Sequence, residues 1–505
     1  MAELFKKMTE ETGYKKIFKT TFLFGFVQVF NILVKVGTNK AVALFLGAEG
    51  MGIIGLFNSA TGMLKTGAGL GLSQSAVRDI SEAYASKNNK RFSRIISLTN
   101  KVIIITSLLG ILITLALSPF LSKWSFGNNH YTIAFVWISI VVGLNIISDA
   151  QLAILKGMRQ LRALAKASMI GSIVGLVTAV PFYYFFGKGG IVPSLIVTAF
   201  AALFFSNYFV RKIKYDSIKL TWKEICKESS SMVKMGSSLM VSSFLASFSV
   251  LIISSYIRRE TGLTDVGLYN AGTAIMTGYF GVIITALTTD YYPRIAAVNK
   301  DNVKLQSELN KQSVVSLIMA GPIIVLFLFL LPLFVVILYS KEFLPIVDFV
   351  KIGIFGTLIT IVSNQVDMIL VAKFNIKVFT IIAVIYRIIQ VLLSIALYKY
   401  FGLVGMGFTL MLLGVIHMLI MTITVNKLYK IRFNKLFIKI AFVILLFTFS
   451  AVFISEIENQ YFRYSFGVLL LLLSSLFSLY ISKRHLDIDF INMLLRKNNI
   501  ITPKS

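Results

Sequence analysis

The chain has 505 residues, 56% of them hydrophobic and only 14% charged, with a mean hydropathy of +0.81. Soluble proteins carry roughly 25% charged residues, and a soluble fold could not hide so much apolar surface. The formal net charge of +28 need not mean nucleic acid, because membrane proteins gather Lys and Arg in cytoplasmic loops.

The first 20 residues, MAELFKKMTEETGYKKIFKT, are polar and basic, with no short apolar core and no A-x-A-like cleavage site. The first span is therefore expected to act as its own uncleaved signal. Apolar runs near the bilayer-crossing length of about 20 residues then recur to the end. Fourteen spans are predicted, at about 18–46, 51–76, 95–120, 131–155, 164–187, 190–211, 235–257, 265–292, 312–339, 344–371, 377–400, 403–426, 436–455 and 461–482. Alternate loops, counted from the N-terminus and together with the last few residues of the flanking spans, hold about 37 Lys and Arg in one set and about 7 in the other. That bias places both termini in the cytoplasm and argues against nucleic-acid binding. The external loops, such as FLGAEGMG and FGKGG, are too short to fold as a domain.

Several spans carry polar stripes at helical spacing. Span 1 has Gln28, Asn31, Lys35, Thr38 and Asn39 within an arc of roughly 100°. Span 2 has Asn58, Thr61 and Lys65; span 8 has Asn270, Thr273, Thr277, Thr285 and Thr288. Spans 10 and 11 add Thr360, Asn364 and Asp367, then Arg387, Gln390 and Ser394. Lipid satisfies none of these groups, so they face protein or a wet cavity. Lys65 lies roughly 21 Å into its span at 1.5 Å per residue, and a lysine at that depth costs about 2.5–3.5 kcal/mol on insertion scales. Lys35 is similarly deep. Spans 1 and 2 offer only Glu49 and Asp79, both near their ends. Lys35 and Lys65 are thus expected to be unpaired cations that line a cavity and attract an anionic substrate. The blander reading is that each pairs with a buried carboxylate or caps a helix break.

Asp367 and Arg387, on adjacent spans at matching depth, are expected to form a buried structural ion pair. Asp290 and Arg294 have the spacing of an interfacial i, i+4 pair. Asp149 and His417, with Asp367, are the candidates for binding a coupling ion, H+ or Na+. No other cofactor is expected. His130, His417 and His485 lack metal-ligand spacing, and the single Cys226 allows no internal disulfide. There is no P-loop, no nucleophile elbow and no paired catalytic carboxylates in a loop, so the chain reads as a transporter rather than an enzyme.

A weak repeat organises the whole. Gly47 and Gly52 recur, 215 residues later, as Gly262 and Gly267 in GLTDVGLYNAGTAIMTGYF. The expected fold is all-α and polytopic, with about 14 transmembrane helices. Two six-helix lobes, 1–230 and 231–432, would be related by a pseudo-two-fold along the membrane normal, with residues 433–505 adding spans 13 and 14 and a cytoplasmic tail.

Three stretches carry a family resemblance. GAEGMGIIGLFNSATGMLKTGAGLGLSQSAVRDISE (47–82) is similar to the second-span region of the Wzx-type flippases, which include O-antigen translocases and the lipid III flippase. AILKGMRQLRALAKASMIGSIVG (153–175) resembles their fourth-to-fifth span junction, and DVGLYNAGTAIMTGYFGVIITALTTDYYPRIA (265–296) their eighth span. The resemblance covers about residues 15–430 and places the chain in the multidrug/oligosaccharidyl-lipid/polysaccharide exporter superfamily. Many members have twelve spans; the superfamily's lipid II flippases have fourteen. The resemblance implies alternating-access transfer of undecaprenyl-pyrophosphate-linked oligosaccharide, such as an O-antigen unit, across the bacterial inner membrane. Membrane lipid, a polysaccharide polymerase and a chain-length regulator are the implied partners. It implies cavity cations at Lys35, Lys40 and Lys65, and the expected substrate-binding set adds Asn31, Asn58, Asn270 and Arg387. A cation-coupled drug antiporter of the same superfamily would need an acidic cavity. A membrane polymerase or glycosyltransferase would need a long external loop or an acidic metal motif.

Overall fold

The computed structural model describes residues 14–86, 88–281 and 291–485, with backbone only at 14–26, 28, 238, 239, 279 and 485. Thr285, Thr288, Asp290 and the Gln28 side chain lie outside the described residues. Every regular element among the described residues is helical. The helices are α1 (Tyr14–Phe45), α2 (Gly47–Ala68), α3 (Leu72–Ala85), α4 (Asn89–Phe126), α5 (Thr132–Gly157), α6 (Leu161–Phe186) and α7 (Ile191–Val210). There follow α8 (Trp222–Thr261), α9 (Leu263–Thr273), α10 (Asn302–Phe329), α11 (Leu331–Leu338), α12 (Ile346–Ala372), α13 (Ile376–Tyr429), α14 (Lys435–Ser455) and α15 (Gln460–His485). Nine helical stretches among the described residues are long and apolar enough to cross a membrane, two of them, Leu161–Val210 and Ile376–Tyr429, of double length.

Polar residues mark where several helices start. Asn88 caps α4 by accepting from Arg91 N, Asp301 caps α10 by accepting from Val303 N and Lys304 N, and Asn434 caps α14 by accepting from Phe437 N. Thr221 and Glu224 form a reciprocal capping box at the start of α8. Glu224 also binds Arg94 of α4 at 2.8 Å, and Glu228 binds the same guanidinium at 2.6 Å. The Thr221 hydrogen bonds, followed by Arg94, hold the Glu224 carboxyl down at about 2. A depressed carboxyl adds stability that is fully present above its unfolded pKa of about 4.5 and is lost as pH falls toward about 2. Thermal stability is therefore expected to show no titration from this clamp between pH 8 and 5. A step in that window that Arg94→Gln removes would contradict this.

The repeat is written in the backbone. Left-handed residues recur 215 positions apart at Gly47 (φ 68°) and Gly262 (φ 102°), at Arg159 (55°) and Phe374 (57°), and at Gly187 (53°) and Gly402 (57°). Gly187 and Gly402 also share ψ, −132° and −138°, a combination open essentially to glycine alone. Three residues on, a Cβ added to Gly190 would lie 2.2 Å from Phe182 O, and one added to Gly405 would lie 2.1 Å from Leu397 O. The α6–α7 turn and the turn inside α13 are thus the same structure made twice.

The chain divides into two compact units at Asn270/Ala271. In the first, α4 packs on α5, α5 and α6 on α7, and α2 and α3 against α8. Ile80, Ile96, Ile154 and Leu155, all fully buried, centre one core cluster. Glycine permits the closest approach: a Cβ on Gly52 of α2 would lie 2.0 Å from Leu263 O, and one on Gly267 of α9 would lie 1.8 Å from Ala48 O. In the second unit α12 packs on α13, and α10 carries both α14 and α15. The last two helices, expected as spans 13 and 14, are therefore docked on α10, where a Cβ on Gly321 would meet Ile444 and one on Gly467 would meet Phe329. Lys351 of α12 reaches Glu456, just beyond α14, at 2.5 Å.

Candidate anion-binding cavity

Span 2 was expected as one helix over 51–76. The structure breaks it at 69–71, where Leu70 (φ 49°) and Gly71 (φ 61°) are both left-handed before α3 begins. Neighbouring backbone holds the break: a Cβ on Gly71 would lie 2.1 Å from Gly236 O of α8. Lys65 therefore sits in the last turn of α2, its carbonyl accepting from Gly69 N.

From there its ammonium reaches Asp149 of α5, Nζ to Oδ2, at 2.8 Å. The expectation of an unpaired Lys65 is thereby corrected. The partner lies on the fourth span, 84 positions away, where inspection of spans 1 and 2 could not find it. The pair borders a cavity of about 190 Å3 with Thr66, Gln74, Thr106 and Ser243. Lys65 is 33% exposed and Asp149 43%, so the pair is accessible rather than sealed. A sealed pair is costly to break; a wet one is held weakly enough to exchange partners. Thr66, Gln74, Thr106 and Ser243 were not anticipated as site residues, although Thr66 adjoins Lys65 and Gln74 lies just past the glycine break.

The other expected residues are scattered. Lys35 is exposed and has no ion pair among the described residues. Lys40 is half-buried and Asn58 exposed. Asn31 donates to Ser168 Oγ of α6 at 3.2 Å, so it ties α1 to its neighbour. Asn270 lies against Gly55, where a Cβ would come 1.8 Å from its Nδ2, and that buried nitrogen has no hydrogen bond.

A second polar cluster lies in the other unit, and here the sequence pairing fails. Arg387 donates to Gln390 Oε1 at 2.7 Å, one turn along its own helix, and makes no ion pair with Asp367. Asp367 instead faces His417 of α13, Oδ1 to Nε2, at 3.6 Å, and that oxygen has no hydrogen bond. The other imidazole nitrogen, Nδ1, lies 2.6 Å from Ser363 Oγ, and the Tyr386 ring packs edge-on against the imidazole. His417 is thus not alone in its span. Ser363 was missed, though it lies four residues before Asp367 and so on the same helix face. Arg294 binds Glu308 and Gln312, both at 2.5 Å.

The family model for "polysaccharide biosynthesis protein" matches residues 41–348, which include Lys65 and Asp149. The chain belongs to this family. The lipid III flippase of Escherichia coli strain K12 is 21% identical over 285 residues, 53% of this chain and 65% of that protein. The lipid III flippase of Shigella flexneri matches equally. The chain thus spans just under two thirds of the length of these relatives. Among solved structures, the lipid II flippase MurJ in an inward-closed conformation superposes with a TM-score of 0.71 at 16% identity, over 93% of this chain and 100% of that one. An inward-facing multidrug resistance MATE family transporter of the MOP superfamily gives 0.65 at 16% identity, over 80% and 96%. The polysaccharide biosynthesis family member thus has the MurJ and MATE fold.

Proposed function

We propose that this family member translocates an undecaprenyl-pyrophosphate-linked oligosaccharide, such as an O-antigen repeat unit, from the inner to the outer leaflet of the bacterial inner membrane. The Lys65–Asp149 pair in its polar cavity carries this reading. A phosphate oxygen replaces the Asp149 carboxylate on the Lys65 ammonium, a compact charge that accepts phosphate without fixed geometry. The cavity of about 190 Å3, which Gln74 and Ser243 also line, receives the phosphate end, while the glycan extends beyond it. The polyprenyl tail stays in lipid. Fourteen spans with both termini cytoplasmic, arranged as lobes 1–230 and 231–432, alternate between inward- and outward-open states. Lys35, Lys40 and Arg387 add positive charge along the path, and Asn31, Asn58 and Asn270 add hydrogen-bonding groups. Asp149, Asp367 and His417 are the groups through which an ion gradient would act. The delivered unit is the feedstock of a polymerase and its chain-length regulator.

The test is leaflet transfer in liposomes. A fluorescent polyprenyl-pyrophosphate glycan is expected to cross faster with the protein than without it, while the same glycan on a neutral polyprenol is not. Equal transfer of both, or proton-driven export of a cationic dye instead, would overturn the reading.

A further inference from the structure

A larger cavity, of about 1080 Å3, opens in the first unit at the ends of the helices that carry basic loops. Three segments surround it: the end of α3 with the start of α4, the α5–α6 turn, and the chain following α7. Tyr84, Asn88, Arg159, Gln160, Lys212 and Lys214 are among the residues at its edge. The side chains of Arg159, Gln160 and Lys214 have no hydrogen bond or ion pair among the described residues, and Lys212 stacks its ammonium 4.1 Å from the Tyr208 ring centroid. Asp216 is the single acid at the rim, and its amide is tied to Ser93 Oγ. Three cations against one carboxylate leave the cavity positive.

The repeat supplies an internal control. Moving 215 positions along the chain turns 84–86 and 88, 157–160 and 211–216 into 299–301 and 303, 372–375 and 426–431; Lys87, the counterpart of Asn302, lies outside the described residues. There the same three segments are stapled together. Asn299 donates to Ala372 O, Asn302 donates to Tyr429 O, Lys373 donates to Asn302 Oδ1, and Asn375 donates to Tyr429 OH. Both copies turn at the same left-handed residue, Arg159 in one and Phe374 in the other. One copy closes this junction with its own side chains. In the other, Ser93 Oγ of α4 holds the chain after α7 through the Asp216 amide, and Arg159, Lys212 and Lys214 outnumber the one acid among the described residues that line the cavity.

We propose that the open junction binds the phosphodiester headgroup of an anionic phospholipid. Basic pockets at the ends of transmembrane helices on the cytoplasmic side suit such headgroups, and tyrosine at the rim suits the headgroup depth. The volume exceeds that of a bare phosphate and accommodates a headgroup with its glycerol. The lipid is a resident ligand, distinct from the cargo at Lys65. Its cytoplasmic placement rests on the orientation proposed above; its binding does not.

The experiment uses the full chain purified in a nonionic detergent, with thermal unfolding followed as dioctanoyl phosphatidylglycerol is added. A ligand of the folded state raises the midpoint in a saturable way. Arg159→Gly keeps the left-handed turn, because glycine adopts it freely, and is expected to raise the half-saturating concentration about fivefold. Lys212→Gln with Lys214→Gln is expected to raise it more than tenfold, while Lys90→Gln, a nearby charge that does not line the cavity, leaves it unchanged. Dioctanoyl phosphatidylcholine is expected to give no shift. An equal shift with phosphatidylcholine, indifference to Arg159→Gly, or an equal response to Lys90→Gln would overturn the proposal. So would saturation by glycerol 3-phosphate alone, which would make the ligand a soluble phosphate. Transport is not measured, so a failure of the flippase reading would leave this result standing.

Discussion

Replacing Lys65 with alanine is expected to slow leaflet transfer of a polyprenyl-pyrophosphate glycan ten- to a hundredfold. A hydrogen bond to a charged group contributes about 1.5–3 kcal/mol, and about 1.4 kcal/mol is a factor of ten. The substitution also leaves Asp149 facing the cavity alone, which turns an attractive site into a repulsive one for phosphate. Asp149→Asn acts in the other direction. It keeps the shape and removes the carboxylate that competes for the ammonium, so the headgroup is expected to bind more tightly and to leave more slowly. Affinity and turnover should therefore separate in Asp149→Asn and fall together in Lys65→Ala. Adding Asp149→Asn to Lys65→Ala is expected to recover part of the loss, because the two residues are in contact and their effects do not simply add. Liposome transfer, with substrate affinity measured alongside, reads all of these. Wild-type transfer by Lys65→Ala would remove the cavity from the mechanism.

Gly52→Ala is expected to rank, with Gly267→Ala, among the most damaging single-methyl substitutions in the first unit. Its Cβ would stand 2.0 Å from Leu263 O and 3.1 Å from Gly267 N, against backbone that cannot rotate out of the way as a side chain can. Overpacking ordinarily costs about 1–3 kcal/mol, and a clash on two helix backbones belongs at or above the top of that range. Either α2 and α9 part or the protein fails to fold. Gly189→Ala is the matched control: nothing lies within 4 Å of its added Cβ, and its effect should stay within about 0.5 kcal/mol. Folded yield and thermal midpoint in detergent report both. Gly52→Ala as stable as Gly189→Ala would show that the two helices are not held at this distance.

Hydropathy made the helical membrane architecture legible, because it records the solvent that each segment meets. Gly52 and Gly267 were legible only as counterparts in the repeat; that α2 and α9 touch there, backbone against backbone, was not. Nor was the partner of Lys65. Periodicity tells which face of a helix is polar, not which helix stands opposite, and Asp149 on α5 gave no sign of pointing toward α2. The same blindness joined Asp367 to Arg387 on sequence adjacency, while the fold set Asp367 beside His417 and turned Arg387 along its own helix. The left-handed turn at Arg159 and Phe374 was also hidden, since neither residue type advertises a positive φ.

The paired turns also speak to ancestry. A chain that traces one path twice, with its kinks at a constant spacing, is what tandem duplication of a half-length gene leaves behind. Adding 215 to Lys65 gives Phe280, and adding it to Asp149 gives Asn364. One descendant half holds a cation and an acid at these positions; its sister holds a ring and a neutral amide. Copying each half's pair into the other would ask whether the two halves have diverged in what they do at these positions.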